Sequence, residues 1–176
     1  MYTHTIENLA AKRAEIKEKF RGVFSSNTLP EKNLEGYYIA NLDRDTESGS
    51  HWIAIEITPS GQKNLYFDSY GFPPCRDSFT HFMNENYTCN RKRLQHLLST
   101  TCGQWCLYFL YRRSENWKMN EITEALHDQG ETHCRTIVND HVVNYFVEDV
   151  FDTDLSVIDR KYVHDQIARQ MIENLS

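Results

Sequence analysis

The sequence predicts an α+β domain in which a small mixed or antiparallel sheet packs against a central helix, with further helices around it. Three features point there. Trp52–Ile57 and Leu65–Phe67 are short β-branched and aromatic runs joined by the turn-rich TPSGQ stretch, the pattern of a hairpin. From Thr101 the pattern turns helical, with Trp105, Cys106, Phe109 and Leu110 close to one face. Ile6–Phe20, rich in Ala, Lys and Glu, reads as an amphipathic helix, and two more helical stretches close the chain at Val138–Phe151 and Val157–Ile172.

The remaining elements follow in order. Gly22 lies close behind the first helix as a stop, and residues 25–36 hold turn formers with few apolar anchors, so a loop is expected. Tyr37–Asn41 is a short strand, and a polar interval from Asp43 to Ser50 leads to His51. Gly71, Pro73 and Pro74 end the strand region. A short helix is expected over Arg76–Asn86 and another short element over Leu94–Leu98. Asn120 caps a helix through Leu126 that Gly130 stops. No internal repeat or interdomain linker divides the chain. One domain over residues 1–176 is expected, with a core at about 37–113 and a helical C-terminal part from 119.

With 176 residues, 40% apolar and 25% charged, the chain can bury a core without disulfides or metal. MYTHTIENLA lacks a basic stretch followed by an apolar run, so no secretory signal is expected. Nothing approaches the roughly 20 apolar residues that span a bilayer, so no membrane role is expected. The net charge is −6, and residues 119–176 hold twelve acidic and four basic groups. That excess disfavours a global nucleic-acid surface. Arg91, Lys92, Arg93, Arg112, Arg113 and Lys118 form a local basic cluster, read as a solvated rim around a helix.

Five cysteines (Cys75, Cys89, Cys102, Cys106 and Cys134) are an odd number without an export signal, which favours reduced thiols. Cys102 and Cys106 with His96 offer a zinc alternative, but no second matching pair completes it, so no metal is expected.

The candidate chemistry centres on Cys102. Ser99, Thr100 and Thr101 precede it as possible cap residues, and an apolar helix follows. A cysteine in the first turn of a helix meets unpaired N–H groups and the positive end of the dipole, which favour the thiolate. Gly103 removes bulk beside it, leaving room for a substrate backbone. His51 precedes one hairpin strand and Asp68 ends the other, so antiparallel pairing brings them to the same end. His51 can take the thiol proton, and Asp68 can hold the other ring nitrogen and favour imidazolium. Taken singly, His51 reads as a surface histidine and Asp68 as a strand-end turn residue.

Three blocks together carry a family resemblance. Gly49-Ser-His51-Trp52-Ile-Ala-Ile resembles the His-Trp block of adenovirus-type cysteine endopeptidases (adenain-like), including virophage and self-synthesising transposon relatives. Phe67-Asp68-Ser69-Tyr70-Gly71-Phe72 resembles their acidic block, with Asp where the adenovirus enzymes have Glu. Gln95-His-Leu-Leu-Ser-Thr-Thr-Cys102-Gly103-Gln-Trp-Cys106 resembles the nucleophile block, with Gln seven residues before Cys. The resemblance covers about residues 37–113. The C-terminal part, with Asn139-Asp140-His141-Val142-Val143, has the look of the transposon and virophage relatives.

The resemblance implies an adenain-like fold and a triad of Cys102, His51 and Asp68. It implies Gln95 as an oxyanion donor beside the Cys102 backbone N–H, and Trp52 as a wall over the imidazole and cleft, with Gly103 lining that cleft. It further implies maturation of viral capsid precursors, with cleavage after small residues such as Gly, in the virion and host-cell interior. No cofactor is required for the chemistry, while an activating viral peptide or DNA stays open. Cys106 reads as a helix-core residue, and Cys75, Cys89 and Cys134 receive no role. Two alternatives remain: a ubiquitin-like-protein (SUMO-type) protease with the same machinery, and a non-enzymatic virion- or DNA-associated protein.

Overall fold

The computed structural model describes residues 1–126 and 132–157, with side chains for 1–126 and 135–157. Among these residues, one mixed sheet runs in chain order through β1 (Phe20–Phe24), β2 (Gly36–Asn41), β3 (Trp52–Ile57), β4 (Asn64–Phe67) and β5 (Tyr87–Cys89). β2, β3 and β4 are antiparallel, whereas β1 and β5 join the two edges in parallel. The helices are α1 (Thr3–Lys12), α2 (Ala14–Lys17), α3 (Asp77–Phe82), α4 (Cys102–Ser114), α5 (Met119–Glu124) and α6 (Thr132–Val150). The architecture is α+β, with α4 as the helix that carries Cys102 against the sheet.

Strand alternation divides the core into two layers. Tyr37, Ile39, Ala54 and Phe67 face α1, α4 and α6 together with Ile6, Leu9, Trp105, Phe109 and Val143. Tyr38, Ala40, Ile53, Ile55 and Tyr66 point the other way onto Phe79, Phe82 and Met83 of the α3 region. Two contacts fix α4 against the sheet. Phe109 stacks on Phe67, with ring centroids 4.6 Å apart. One turn further, Arg113 grips Glu56 of β3 with Nε 2.5 Å from Oε2 and Nη2 3.2 Å from Oε1. Burial of this pair makes it costly to break, since one partner alone would leave an uncompensated charge.

The basic cluster is divided among internal partners. Arg113 is held by Glu56 and the Trp117 carbonyl. Arg112 pairs with Glu115 at 2.9 Å and lies over the rings of Tyr108, Trp117 and Phe146. These two cations belong to the packing of α4, which is the rim reading taken further inward.

Several expectations need correction. The helix expected over Ile6–Phe20 breaks at Arg13, which is extended, and ends before β1. Phe20 and Val23 pack on the core, and Gly22 takes φ +131° at an irregularity in the β1–β2 register. The helix expected over Arg76–Asn86 stops at Phe82, because Asn84 and Glu85 adopt left-handed φ of 53° and 55° before β5 begins. Leu94–Leu98 forms no regular element, and α5 starts at Met119, where Glu121 accepts from the Lys118 N–H at 2.7 Å. The Gly130 stop and nearly all of the Val157–Ile172 helix lie outside the described residues. Among the described residues no helix is long and apolar enough to cross a membrane.

Gly71 closes the turn that follows β4, donating its N–H to the Asp68 carbonyl at 2.8 Å. Its φ is +76°, and an added Cβ would stand 2.7 Å from the Lys92 carbonyl carbon. Gly71→Ala is therefore expected to destabilise the fold by about 1–3 kcal/mol, combining left-handed strain with a backbone clash. The urea midpoint relative to wild type measures this, and an unchanged midpoint would refute it.

Candidate active site

The hairpin and α4 meet at one end of the sheet. β3 and β4 pair Ala54 with Phe67, and continuing this register sets Ile53 opposite Asp68, so His51 stands on the same face as Ile53, one diagonal step from Asp68. His51 Nε2 lies 2.9 Å from Asp68 Oδ1, and both side chains are buried. The carboxylate accepts that proton, which leaves Nδ1 as the ring nitrogen for Cys102. The Cys102 thiol stands near enough to His51 and to the backbone N–H of Trp52 to interact electrostatically with both.

The electrostatics follow from those contacts. Burial opposes charge on His51, but the hydrogen bond it donates to Asp68, its interaction with Cys102 and the charges of both outweigh it and push the pKa up to about 9. Burial likewise opposes a thiolate at Cys102. His51, through its hydrogen bond and charge, and the Trp52 N–H together hold that thiol below the ordinary range. The two groups share one preference, thiolate beside imidazolium. Cys106, one turn along, behaves oppositely: complete burial pushes its thiol well up, so it is an inert core residue.

Cys102 is the first residue of α4, with Thr101 at the cap position. The Thr101 hydroxyl makes no capping bond, because it donates instead to Asp140 Oδ1 at 2.8 Å. The capping expectation for Thr101 is thus corrected, and the positive end of α4 faces the cysteine without a Thr101 side-chain acceptor. Asp68 is held from behind by Asn90, whose Oδ1 accepts the Asp68 N–H at 2.9 Å and whose Nδ2 donates to the Asp68 carbonyl at 2.6 Å. Asp68 Oδ1 also accepts the Tyr70 N–H at 2.7 Å.

Three expected roles come out differently. The ring over His51 is Tyr70, stacked at 4.7 Å and 27°, not Trp52. Trp52 turns toward the α4 side of the core and donates its indole N–H to the Met1 carbonyl at 3.0 Å, although it still lines the cleft. Gly103 is buried and makes room for the protein itself: an added Cβ would meet Met1 Cβ at 3.0 Å and Ile6 Cδ1 at 3.4 Å. Gln95 is fully buried and does not present its amide to the cleft. Its Nε2 donates to the Ser99 carbonyl and Oγ, both at 3.0 Å, and toward the Tyr70 hydroxyl at 3.3 Å. Its Oε1 accepts from Ser69 at 2.5 Å. The side chain braces the loop ahead of Cys102 in place of the free oxyanion donor expected from its spacing.

Sequence reasoning missed Tyr70, Asn90 and Asp140. Tyr70 was visible as the aromatic two residues after the acid. Asn90 and Asp140 had no local signal, since their partners are 22 and 39 residues away.

The cleft beside Cys102 has a volume of about 450 Å³. Met1–His4, Trp52, Tyr70, Ser99 and Thr100 wall one part, and Arg44, Asp45, Glu47 and Ser48 another. Among the described residues no cluster of His, Cys, Asp and Glu is arranged to hold a metal ion. Cys75 and Cys89 are free thiols with no part in the cleft.

No protein-family model matches the chain, and no curated protein matches it. Similar solved structures include the following two. The ASFV pS273R protease is 17% identical, with 80% of this chain and 67% of that chain covered, at a TM-score of 0.48. ChlaDub1 from Chlamydia trachomatis is 16% identical, with 86% and 78% covered, at 0.42. At this level of similarity, function has to be read from the site geometry.

Proposed function

We propose that the protein is a cysteine endopeptidase that cleaves peptide bonds through a thioester acyl-enzyme. One observation carries this reading: Cys102, at the start of α4, contacts an imidazole that Asp68 holds by its far nitrogen at 2.9 Å. The thiolate attacks the scissile carbonyl carbon, and the backbone N–H of Cys102, at the positive end of α4, stabilises the oxyanion. His51 imidazolium gives its proton to the leaving amine as the carbon–nitrogen bond breaks, which leaves a thioester and a neutral ring. Neutral His51 then takes a proton from water as that water attacks the thioester, and collapse releases the acid and restores the thiolate.

The substrate class follows from the family resemblance: polypeptides cut after small residues such as Gly, with viral capsid precursors as the natural targets. Cys102 and Trp52 both line the open cleft, so an extended chain can reach the nucleophile. A panel of Gly-Gly-ending fluorogenic peptides alongside ubiquitin-like conjugates tests this. Turnover of the short peptides is expected. Conjugate turnover far above peptide turnover would move the assignment to a ubiquitin-like-protein protease. DNA binding with no cleavage of either would overturn the peptidase reading.

A further inference from the structure

The loop that delivers Cys102 is tied to a helix that contributes nothing to the triad. Asp140 of α6 is buried, and its carboxylate accepts three hydrogen bonds. Oδ1 takes the Thr101 hydroxyl and the Trp105 indole N–H, both at 2.8 Å, and Oδ2 takes the His96 backbone N–H at 3.0 Å. The preceding Asn139 donates to the Leu94 carbonyl at 3.1 Å. These bonds reach both ends of the 94–101 loop and the first turn of α4.

Donor direction along this network is determined by the carboxylate. Asp140 can only accept when ionised, so Thr101 must spend its one hydroxyl proton on it. The Ser99 Oγ, 3.0 Å from Thr101 Oγ1, is then the only possible donor between those two hydroxyls, and it also lies 3.0 Å from the His96 carbonyl. Ser99 Oγ in turn accepts from Gln95 Nε2, while Gln95 Oε1 accepts from Ser69. The backbone at 99–102 is thus held from two sides, by Asp140 through Thr101 and by Gln95 through Ser99.

We infer that Asp140 is a positioning residue for the hydrolytic reaction, holding the 99–102 backbone so that the Cys102 N–H meets the developing oxyanion. The inference rests on the peptidase reading. It separates two functions within the site: His51 and Asp68 make the thiolate, and α6 places the donor that the transition state needs.

Wild type and Cys102→Ala are compared first on a Gly-Gly-ending fluorogenic peptide. Absence of Cys102-dependent hydrolysis would defeat the peptidase reading, and this inference with it. Given that activity, Asp140→Asn is expected to lower kcat by roughly 10- to 100-fold, with KM and the iodoacetamide labelling rate of Cys102 within about twofold of wild type. Thr101→Val keeps the Asp140 bonds to His96 and Trp105 and is expected to lower kcat in the same direction. It covers the case in which Asp140→Asn does not fold. In a Gln95→Ala background, Asp140→Asn should cost less than it does alone, because both side chains brace the same backbone. Wild-type kcat in Asp140→Asn, or in Thr101→Val where the first does not fold, would overturn the inference while leaving the peptidase reading intact. Equal losses of kcat and of labelling would do the same, since they would mark a general structural role.

Discussion

Cys102→Ala is expected to remove peptide hydrolysis down to the assay background, a fall on the order of 10⁶-fold. The substitution deletes the sulfur that interacts with His51, and the neighbouring thiol of Cys106 cannot replace it. Cys106 is fully buried, and its thiol is pushed well above the ordinary range, away from the reactive thiolate form. The fold should tolerate the change. α4 is anchored elsewhere, by the Phe109–Phe67 stack, the Arg113–Glu56 pair and the Trp105–Asp140 bond. Loss of one small side chain should therefore cost no more than about 1 kcal/mol. Hydrolysis rates and thermal melts on the same preparations test both halves. Retained turnover in pure Cys102→Ala protein would end the assignment of the nucleophile.

The second large effect concerns Asp68→Asn, which should lower kcat/KM by roughly 10²-fold and also change the shape of the pH profile. In wild type, Asp68 and Cys102 push the His51 pKa up to about 9, so imidazolium should persist through neutral pH and activity is expected to fall as pH rises through about 9. On the acid side, activity is expected to fall as the Cys102 thiolate is protonated, below the usual thiol range. Asparagine keeps a hydrogen-bond partner but removes the negative charge that raises the His51 pKa. The alkaline limb should therefore move to lower pH. With less imidazolium beside it, the Cys102 pKa should rise, so the acid limb moves to higher pH. The bell becomes lower and narrower from both sides. An alkaline limb that stays in place would show that Asp68 does not control His51.

Much of the site could be read along the chain because its parts sit on local patterns. The hairpin follows from two apolar runs around a turn, and antiparallel pairing puts His51 and Asp68 at the same end of it. The cysteine at the start of an apolar helix is equally local. Reading failed where a single residue had to be assigned a destination. Trp52, Gly103 and Gln95 were given the cleft, and the structure gives Trp52 to Met1 as well, Gly103 to Met1 and Ile6, and Gln95 to Ser99. Met1 and Ile6 lie in a different stretch of the chain from Trp52 and Gly103, and Ser99 meets Gln95 within one irregular loop, where no helix or strand period applies. The missed edge strands β1 and β5 have the same origin: each pairs on one side only, and its strand character is supplied by the neighbour.

By itself, the sequence determined the hairpin, the helix that begins at Cys102 and the chemical identity of a thiol, an imidazole and a carboxylate. Periodicity and turn residues act over a few positions, and a reactive group is present whatever the packing. The tertiary structure decided which groups meet. Only packing of α4 on β3 and β4 brings Cys102 to His51. Only α6, crossing beside the 94–101 loop, supplies the Asp140 carboxylate that takes the Thr101 proton. A buried carboxylate must find donors, and a buried amide must find acceptors. Those partners come from segments distant in sequence, so the orientation of the site belongs to the fold and not to any one stretch of the chain.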